Sequence, residues 1–179
     1  GHTAASLPAG VNRVVIDRTI PGQLTEALQT HRPEAIIDMM AFESRHIEEI
    51  ISAGLALCHY VFCSSTAVYG RIGRSTPDEA APVAPYDNYS SGKVACEQRL
   101  LDEHRKSDFP VTILRLAHPY GPGDHLIYTT GREALFLDRM RRSRPIIIPG
   151  TGESRIHPIY VDDAARAFVY GLENFDRMK

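Results

Sequence analysis

The chain has 179 residues, of which 43% are hydrophobic and 23% are charged. Its 20 Lys and Arg residues against 22 Asp and Glu residues give a formal net charge of −2. This charge offers no basic surface for a phosphate backbone, so we expect no nucleic-acid partner. No apolar run approaches the roughly 20 residues of a membrane span, and the N-terminal residues lack the pattern of a secretory signal. We therefore expect a cytoplasmic protein with no membrane partner.

Short apolar runs alternate with longer amphipathic stretches along the chain. The first half predicts strand, helix, strand, helix and strand at 13–16, 23–30, 35–40, 45–57 and 60–63. The second half predicts helix, strand, helix, strand and helix at 87–106, 111–116, 133–142, 144–152 and 161–174. Strands separated by helices of this length are typical of a parallel sheet covered on both faces. The predicted fold class is α/β, with a doubly wound parallel sheet, and residues 118–124 are predicted as a turn.

A dinucleotide site in such a fold needs a glycine-rich turn after the first strand, because its backbone N–H groups hold the pyrophosphate. No G-x-G-x-x-G motif or close variant occurs in the 179 residues. The glycine-containing segments 121–123 and 150–152 do not lie at a predicted strand-to-helix turn. We therefore expect this chain by itself to bind a dinucleotide weakly or not at all.

Two motifs carry chemistry. The strand at 60–63 continues into the sequence SSTAVYG at 64–70, which places hydroxyl groups where ligands bind in this fold. Tyr89 and Lys93 are spaced i, i+4 on a predicted helix and so share one face. A tyrosine is a poor base at neutral pH, but a nearby ammonium favours its phenolate. Together the motifs predict proton transfer at an alcohol while a hydride moves to or from a nicotinamide.

Each motif alone has a plainer interpretation. A Tyr-x-x-x-Lys pair is usually a solvated helix face, and SSTAVYG on its own is a strand followed by a polar turn. The combination is far more specific, because the hydroxyl run ends a buried strand and the Tyr–Lys pair opens the next helix.

Six segments in chain order carry a family resemblance: VVID (14–17), IIDMMA (36–41), YVFCSSTAVYG (60–70), Tyr-x-x-x-Lys (89–93), LRLAHPYGPGD (114–124) and HPIYVDDAARA (157–167). Through them the chain resembles the extended short-chain dehydrogenase/reductases, also called NAD-dependent epimerase/dehydratases. The resemblance implies that residues 1–120 are the remainder of a Rossmann-like NAD(P)-binding domain. Residues 121–179 would then be part of a substrate-binding region, with a helix that returns to the first domain.

The resemblance also implies roles for the motif residues. Tyr89 would be the catalytic acid/base, and Lys93 would favour its phenolate and hold the nicotinamide ribose. Ser65, or the neighbouring Thr66, would donate a hydrogen bond to the substrate. The implied reaction is oxidoreduction or epimerisation at a secondary alcohol of a small-molecule substrate, with a nucleotide sugar as the first candidate.

The implied cofactor is NAD or NADP, with NAD favoured. The residues expected to contact it are Asp17, Met40, Ala41, Ser64, Tyr89, Lys93, Leu116, His118 and Pro119. The residues expected to contact the substrate are Ser65, Thr66, His118, Arg155 and His157. For His118 and His157 a purely structural histidine is the alternative. The eight histidines are scattered, so no metal site is expected.

Two further expectations concern assembly and function class. The resemblance implies a homodimer formed through the helices near 45–57 and 87–106. A non-catalytic protein that senses or binds NAD(P) on the same fold is the alternative to an enzyme. The three cysteines, Cys58, Cys63 and Cys96, lack metal-ligand spacing and are expected to be reduced thiols.

Overall fold

A computed structural model describes residues 7–71, 76–122, 135–148, 150–153 and 157–175, without the side chains of residues 135–137. Three parallel strands form the main sheet in the order β1-β2-β3: β1 Ala35–Asp38, β2 His59–Ser65 and β3 Val111–Leu116. Two short strands form a second parallel pair: β4 His118–Tyr120 and β5 Pro158–Tyr160.

The predicted helices are all present, with adjusted ends. They are α1 Gln23–His31, α2 Ser44–Ser52, α3 Asn88–Ser107, α4 Leu135–Arg141 and α5 Val161–Glu173. A short 3₁₀ helix, Thr66–Tyr69, follows β2 directly. The largest difference is at α2, which ends at Ser52 because the chain turns at Gly54 with a positive φ of 63°.

The central strand β2 is buried on both faces because helices cover both sides of the sheet. Its alternating side chains point to opposite sides. Tyr60 and Phe62 pack in the cluster that also holds Ile47 of α2. Val61 packs on the opposite side against Phe168 of α5. Full burial of one such apolar side chain contributes about 1.5–3 kcal/mol. The doubly wound α/β fold is confirmed.

The strand register brings three chain segments to one edge of the sheet. Asp38 pairs with Phe62, and Ser65 pairs with Leu116, so β2 extends beyond β1 and ends level with β3. Ligands in this fold class bind at the carboxyl ends of the parallel strands. The segments that follow β1, β2 and β3 are therefore the ones that can build a site.

Two predicted strands are wrong. Residues 13–16 have no regular structure, and Val15 is 80% exposed, because no strand lies beside them in the described part of the chain. Residues 144–148 are also irregular, and Ile147 is 84% exposed. A strand becomes stable by pairing, which an apolar run alone does not provide.

The predicted turn at 118–124 is wrong at its start, since residues 118–120 form β4. Three residues are too few to show a period along the sequence, and the partner strand β5 lies far along the chain. Within the described residues, no helix has both the length and the apolar character needed to cross a membrane.

Candidate active site

A capping box fixes the first turn of α3. The Asp87 carboxylate accepts a hydrogen bond from the backbone N–H of Ser90 at 2.7 Å, and Ser90 Oγ accepts one from the Asp87 N–H at 3.2 Å. These contacts with Ser90 lower the pKa of Asp87 below its ordinary value. Because the box satisfies two free N–H groups at the helix start, the turn that carries Tyr89 has a defined position.

Lys93 is buried inside the edge of the sheet, with 1% of its surface exposed. Its Nζ donates hydrogen bonds to the carbonyl oxygens of Ala41 at 2.9 Å and Cys63 at 2.7 Å. It also lies 4.5 Å and 4.9 Å from the ring centroids of Phe42 and Phe62. Burial lowers the pKa of Lys93 below its ordinary value. The ammonium therefore joins the segment after β1 to the end of β2.

Tyr89 lies one helical turn before Lys93 and is 46% exposed. Its ring centroid is 5.9 Å from Lys93 Nζ and 6.1 Å from the ring centroid of Phe42. In the described part of the chain its hydroxyl makes no hydrogen bond, so it can contact a ligand. A Cβ at Gly92 would lie 2.1 Å from the Phe42 carbonyl oxygen. Helix α3 therefore approaches the loop after β1, which contains Phe42, this closely only because residue 92 is glycine.

The hydroxyl run at the end of β2 divides into buried and accessible groups. Ser64 is buried, and its Oγ donates to Glu97 Oε1 at 2.5 Å. Ser65 is partly exposed, caps the 3₁₀ helix and accepts a hydrogen bond from the Ala67 N–H at 3.2 Å. Because its oxygen acts as the acceptor there, its O–H remains able to donate to a ligand. Thr66 is also partly exposed.

The two segments predicted to hold the cofactor on the β1 side are joined by an ion pair. Asp17 is exposed, and its carboxylate accepts hydrogen bonds from the Thr19 N–H at 2.9 Å and hydroxyl at 2.7 Å. The next residue, Arg18, reaches Asp38 at the end of β1. Asp38 also accepts from the N–H of Met40 at 2.9 Å, and the Met40 side chain is exposed. Ala41, by contrast, is fully buried and offers its carbonyl to Lys93.

The remaining predicted residues lie beyond β3. Leu116 ends β3 and packs partly buried against the cluster on the α5 side. His118 and Pro119 are exposed on β4. His118 pairs with Pro158, which directly follows the exposed His157, so the two histidines come to the same end of the β4–β5 pair. Arg155 lies outside the described residues.

Several polar residues of the site were missed at the sequence level. They form two buried networks: Tyr60 with Asp38, and Glu97 with Arg115 and Tyr69. Burial and the neighbouring Asp38 carboxylate raise the pKa of Tyr60, so the phenol stays neutral and donates. The sequence signal for these networks was a single charged residue in an otherwise apolar strand: Asp38 in AIID and Arg115 in VTILRL. A buried charge needs a partner, so each of these residues indicates a buried polar network.

No cluster of three or more His, Cys, Asp or Glu side chains that could hold a metal ion occurs among the residues the structure describes. The carboxyl ends of the parallel sheet carry a buried ammonium, Lys93, an accessible phenol, Tyr89, and a partly exposed hydroxyl, Ser65.

The fold is that of a Rossmann-like α/β protein in which a Tyr–Lys pair lies at the carboxyl ends of the parallel strands. The model of the NAD dependent epimerase/dehydratase family matches residues 45–179, which is more than half of the chain. The chain belongs to this family. Its relatives include proteins named as dehydratases, reductases and epimerases, so the predicted membership of an NAD-dependent enzyme family is confirmed.

Three relatives show the range of the family. The chain is 24% identical over 174 residues to 2'-dehydrokanamycin reductase of Streptomyces kanamyceticus, covering 97% of this chain and 49% of the reductase. It is 26% identical to UDP-glucose 4-epimerase of Thermotoga maritima, solved with UDP-glucose, with a TM-score of 0.65 over 84% of this chain and 55% of that one. A UDP-glucuronic acid 4-epimerase of Bacillus cereus, solved with UDP-glucuronic acid and NAD, shares the fold at 20% identity.

That last comparison has a TM-score of 0.67 and covers 89% of this chain and 54% of the epimerase. The chain therefore spans about half the length of these relatives.

Proposed function

We propose that the protein is an NAD(P)-dependent oxidoreductase or epimerase that acts on a secondary alcohol, with Tyr89, Lys93 and Ser65 as its catalytic residues. One observation carries this proposal. The Lys93 ammonium is hydrogen-bonded to the carbonyl of Cys63, just before the hydroxyl run that contains Ser65, and it lies one helical turn from Tyr89. A single buried cation thus lies next to both the helix turn that carries the phenol and the strand end that carries the hydroxyl.

Each group has a distinct task in the proposed reaction. The Tyr89 phenolate accepts the proton of the substrate's secondary alcohol, or the phenol returns it in the reverse direction. The Lys93 ammonium stabilises negative charge on the phenolate, and its burial strengthens this effect because the local dielectric is low. The Ser65 hydroxyl donates a hydrogen bond to the reacting oxygen. The exposed side of Tyr89 gives the substrate access to the phenol.

The donor set at this edge fits a nicotinamide dinucleotide. An ammonium carries three N–H donors, and the two carbonyls take two of the donors of Lys93, so one remains for a ribose hydroxyl. The Asp17 carboxylate is an exposed acceptor suited to an adenine amino group, and the exposed Met40 offers an apolar surface beside it. When bound, the cofactor accepts or returns the hydride. We favour NAD over NADP, as in the family name.

The ligand solved with one relative and the position of β4 directly after β3 support a proposal for the substrate class. We propose a nucleotide sugar or a related polyol, held in part by the side chains of His118 and His157 at the end of the β4–β5 pair. His118 follows β3 directly along the chain. The pairing of β4 with β5 brings His157 to the same end of that pair. That Arg155 contacts the substrate stays a prediction from the sequence.

The proposal is tested with the protein at its natural length. Purified wild type and Tyr89→Phe are incubated with NAD+ or NADP+ and a panel of UDP- and dTDP-sugars. Products are measured by absorbance at the reduced nicotinamide band, by mass spectrometry and, because an epimer has the same mass as its substrate, by chromatographic separation of the sugar nucleotides. General acid–base groups typically contribute roughly 10²–10⁴-fold, so we expect Tyr89→Phe to lose activity by that factor. Tyr170→Phe is the matched control, because Tyr170 is similarly exposed on α5, away from the Tyr–Lys pair.

The outcomes separate an enzyme from a binding protein. An enzyme loses turnover in Tyr89→Phe but keeps its cofactor affinity, measured by calorimetry, within a few-fold. If the wild type binds NAD(P) but turns over no substrate in the panel, and Tyr89→Phe leaves binding unchanged, the non-catalytic alternative holds instead.

A homodimer through α2 and α3 remains a prediction. The two helices pack on each other within the chain, where Arg99 of α3 pairs with Glu48 of α2. Size-exclusion chromatography with light scattering measures the assembly directly, and a mass twice that of the polypeptide is expected.

A further inference from the structure

Glu97 occupies a buried position beneath the hydroxyl run and is not part of the proposed chemistry. It lies on α3 one turn after Lys93 and is 3% exposed. Its carboxylate accepts hydrogen bonds from Ser64 Oγ at 2.5 Å and from the Arg115 guanidinium, with Nη2 at 2.7 Å and Nε at 3.0 Å. Glu97 thus ties the end of β2 to β3 and to the helix that carries the Tyr–Lys pair.

Arg115 extends this network to the far end of the 3₁₀ helix. Its Nη1 donates to the Tyr69 hydroxyl at 2.7 Å, and its guanidinium carbon lies 4.7 Å from the Tyr69 ring centroid. The hydrogen bonds to Glu97 raise the pKa of Arg115 further above its ordinary value, so this side chain stays charged. Glu97 therefore holds Ser64 directly and Tyr69 through Arg115, and segment 64–69 is fixed at both ends.

The two hydroxyls proposed to face the substrate lie between these fixed ends. Ser65 and Thr66 are partly exposed, whereas the carboxylate of Glu97 is buried beneath them and paired. A buried, paired carboxylate does not reach a ligand on the open side of the segment. Its influence on the hydroxyls can only pass through the backbone that it holds.

We infer that Glu97 is a positioning residue that sets the place of the Ser65 and Thr66 hydroxyls for the reacting oxygen, through Ser64 on one side and the Arg115–Tyr69 contact on the other. This inference rests on the proposed function, in which Ser65 donates to the substrate. A displacement of about 1 Å in a catalytic group can lower a rate by roughly 100-fold, so small movements of this segment matter.

The test compares Glu97→Gln with Glu103→Gln in the natural-length protein. Glu103 is a matched control because it is on the same helix, is similarly buried and is paired with Arg99 at 2.9 Å, yet it does not touch segment 64–69. We expect Glu97→Gln to increase hydrogen–deuterium exchange of the amides at 65–70 by about 10-fold or more relative to the control. We expect kcat to fall roughly 10- to 100-fold while the dissociation constant of NAD(P) stays within about 3-fold.

Two measurements keep the outcomes distinguishable. Exchange is measured on the protein without substrate, so it reports on the segment even if no turnover is found. Faster exchange in Glu97→Gln but not in Glu103→Gln supports the positioning role. If the wild type shows no turnover while this difference in exchange is still seen, the proposed function fails and the structural role of Glu97 does not. The inference is overturned if Glu97→Gln leaves exchange at 65–70 unchanged. It is also overturned if the variant has a lower melting temperature but an unchanged kcat at temperatures where it is folded.

Tyr69→Phe is the second variant, for the case that Glu97→Gln does not fold. It removes only the hydroxyl that Arg115 contacts and leaves the buried ion pair intact. We expect faster exchange at 66–70 and a smaller loss of kcat than in Glu97→Gln, of about 3- to 10-fold. Identical exchange and kcat in Tyr69→Phe and wild type contradict the inference.

Discussion

Arg18 and Asp38 form a two-point ion pair at the edge of the main sheet, with Nη1–Oδ1 at 2.7 Å and Nη2–Oδ2 at 2.6 Å. The Asp38 side chain is 4% exposed, and the Tyr60 hydroxyl donates to Oδ2 at 2.7 Å. The pair joins the turn that contains Asp17 to the end of β1. The two segments proposed to hold the adenine side of a cofactor are therefore fixed relative to each other by one carboxylate.

Removal of the Asp38 charge should destabilise the protein strongly. In Asp38→Asn the Arg18 guanidinium remains mostly buried, where it has lost its counter-ion. Breaking a buried pair by removal of one partner costs about 3–5 kcal/mol, and we expect a loss of that size in the free energy of unfolding, measured by urea titration. Glu43→Gln is the control, because the Glu43–Arg45 pair is exposed and exposed pairs contribute little. Equal urea midpoints for the two variants would contradict this account.

The same carboxylate should make stability sensitive to acid. Burial opposes ionisation of Asp38, but the Arg18 guanidinium, the Tyr60 hydroxyl and the Met40 N–H outweigh it, so the pKa lies below its ordinary value of 3.8. The unfolded chain then binds the proton at a higher pH than the folded chain does. The stabilisation is complete above the ordinary pKa and is lost as the pH falls through the lower, folded pKa.

Urea titrations at a series of pH values from about 6 down to 3 measure this dependence. We expect the difference in unfolding free energy between wild type and Asp38→Asn to be constant at the upper end and to shrink at the acid end. A difference that stays constant over the whole series would assign the stabilisation to packing and not to charge.

The features that could be predicted from the sequence are those set by residues close to one another along the chain. The apolar run YVFC predicts β2, and the i, i+4 spacing places Tyr89 and Lys93 on one face of α3. The buried networks were not predictable in the same way, because Glu97 lies 33 residues from Ser64 and 18 residues from Arg115. Only the strand pairing brings these side chains together.

The run at 13–16 shows the converse case. Its β-branched residues favour a strand, but a strand also needs a neighbouring strand with which to exchange backbone hydrogen bonds. Apolar composition gives no information about that neighbouring strand.

The contacts of Lys93 could be predicted only in part. Its spacing from Tyr89 predicted the pair, but its two hydrogen bonds to carbonyl oxygens depend on how closely the loop after β1 approaches α3.

The three thiols should differ sharply in reactivity. Cys58 is exposed, whereas Cys63 and Cys96 are buried. Burial raises the pKa of Cys63, and it raises the pKa of Cys96 to about 11, so little thiolate exists at either position near neutral pH. We expect an aromatic disulfide reagent at pH 8 to label one thiol quickly and the other two only as the protein opens.

Cys58→Ser should abolish the fast phase, and addition of denaturant should release all three thiols in the wild type. Two fast thiols in the native wild type would show that one of the buried positions beside Lys93 is accessible. This measurement therefore also reports on how tightly the edge of the sheet around Lys93 is packed.

Gly92 should be intolerant of even one added methyl group. A Cβ at this position would lie 2.1 Å from the Phe42 carbonyl oxygen, and a backbone atom cannot move aside as a flexible side chain can. Alanine favours a helix over glycine by about 1 kcal/mol, so helix propensity alone predicts that Gly92→Ala is stabilising. We expect the opposite, a loss in unfolding free energy of about 1–3 kcal/mol from the clash.

Ser91→Ala is the matched control, because Ser91 is the adjacent residue of α3 and its side chain is exposed. The control should be neutral or slightly stabilising in the same urea titration. Since the clash would push α3 away from the loop that carries Phe42, Gly92→Ala should also weaken the contact between Lys93 and the Ala41 carbonyl and lower any turnover that depends on Tyr89. A Gly92→Ala protein that is as stable and as active as Ser91→Ala would show that α3 and this loop are not in close contact in solution.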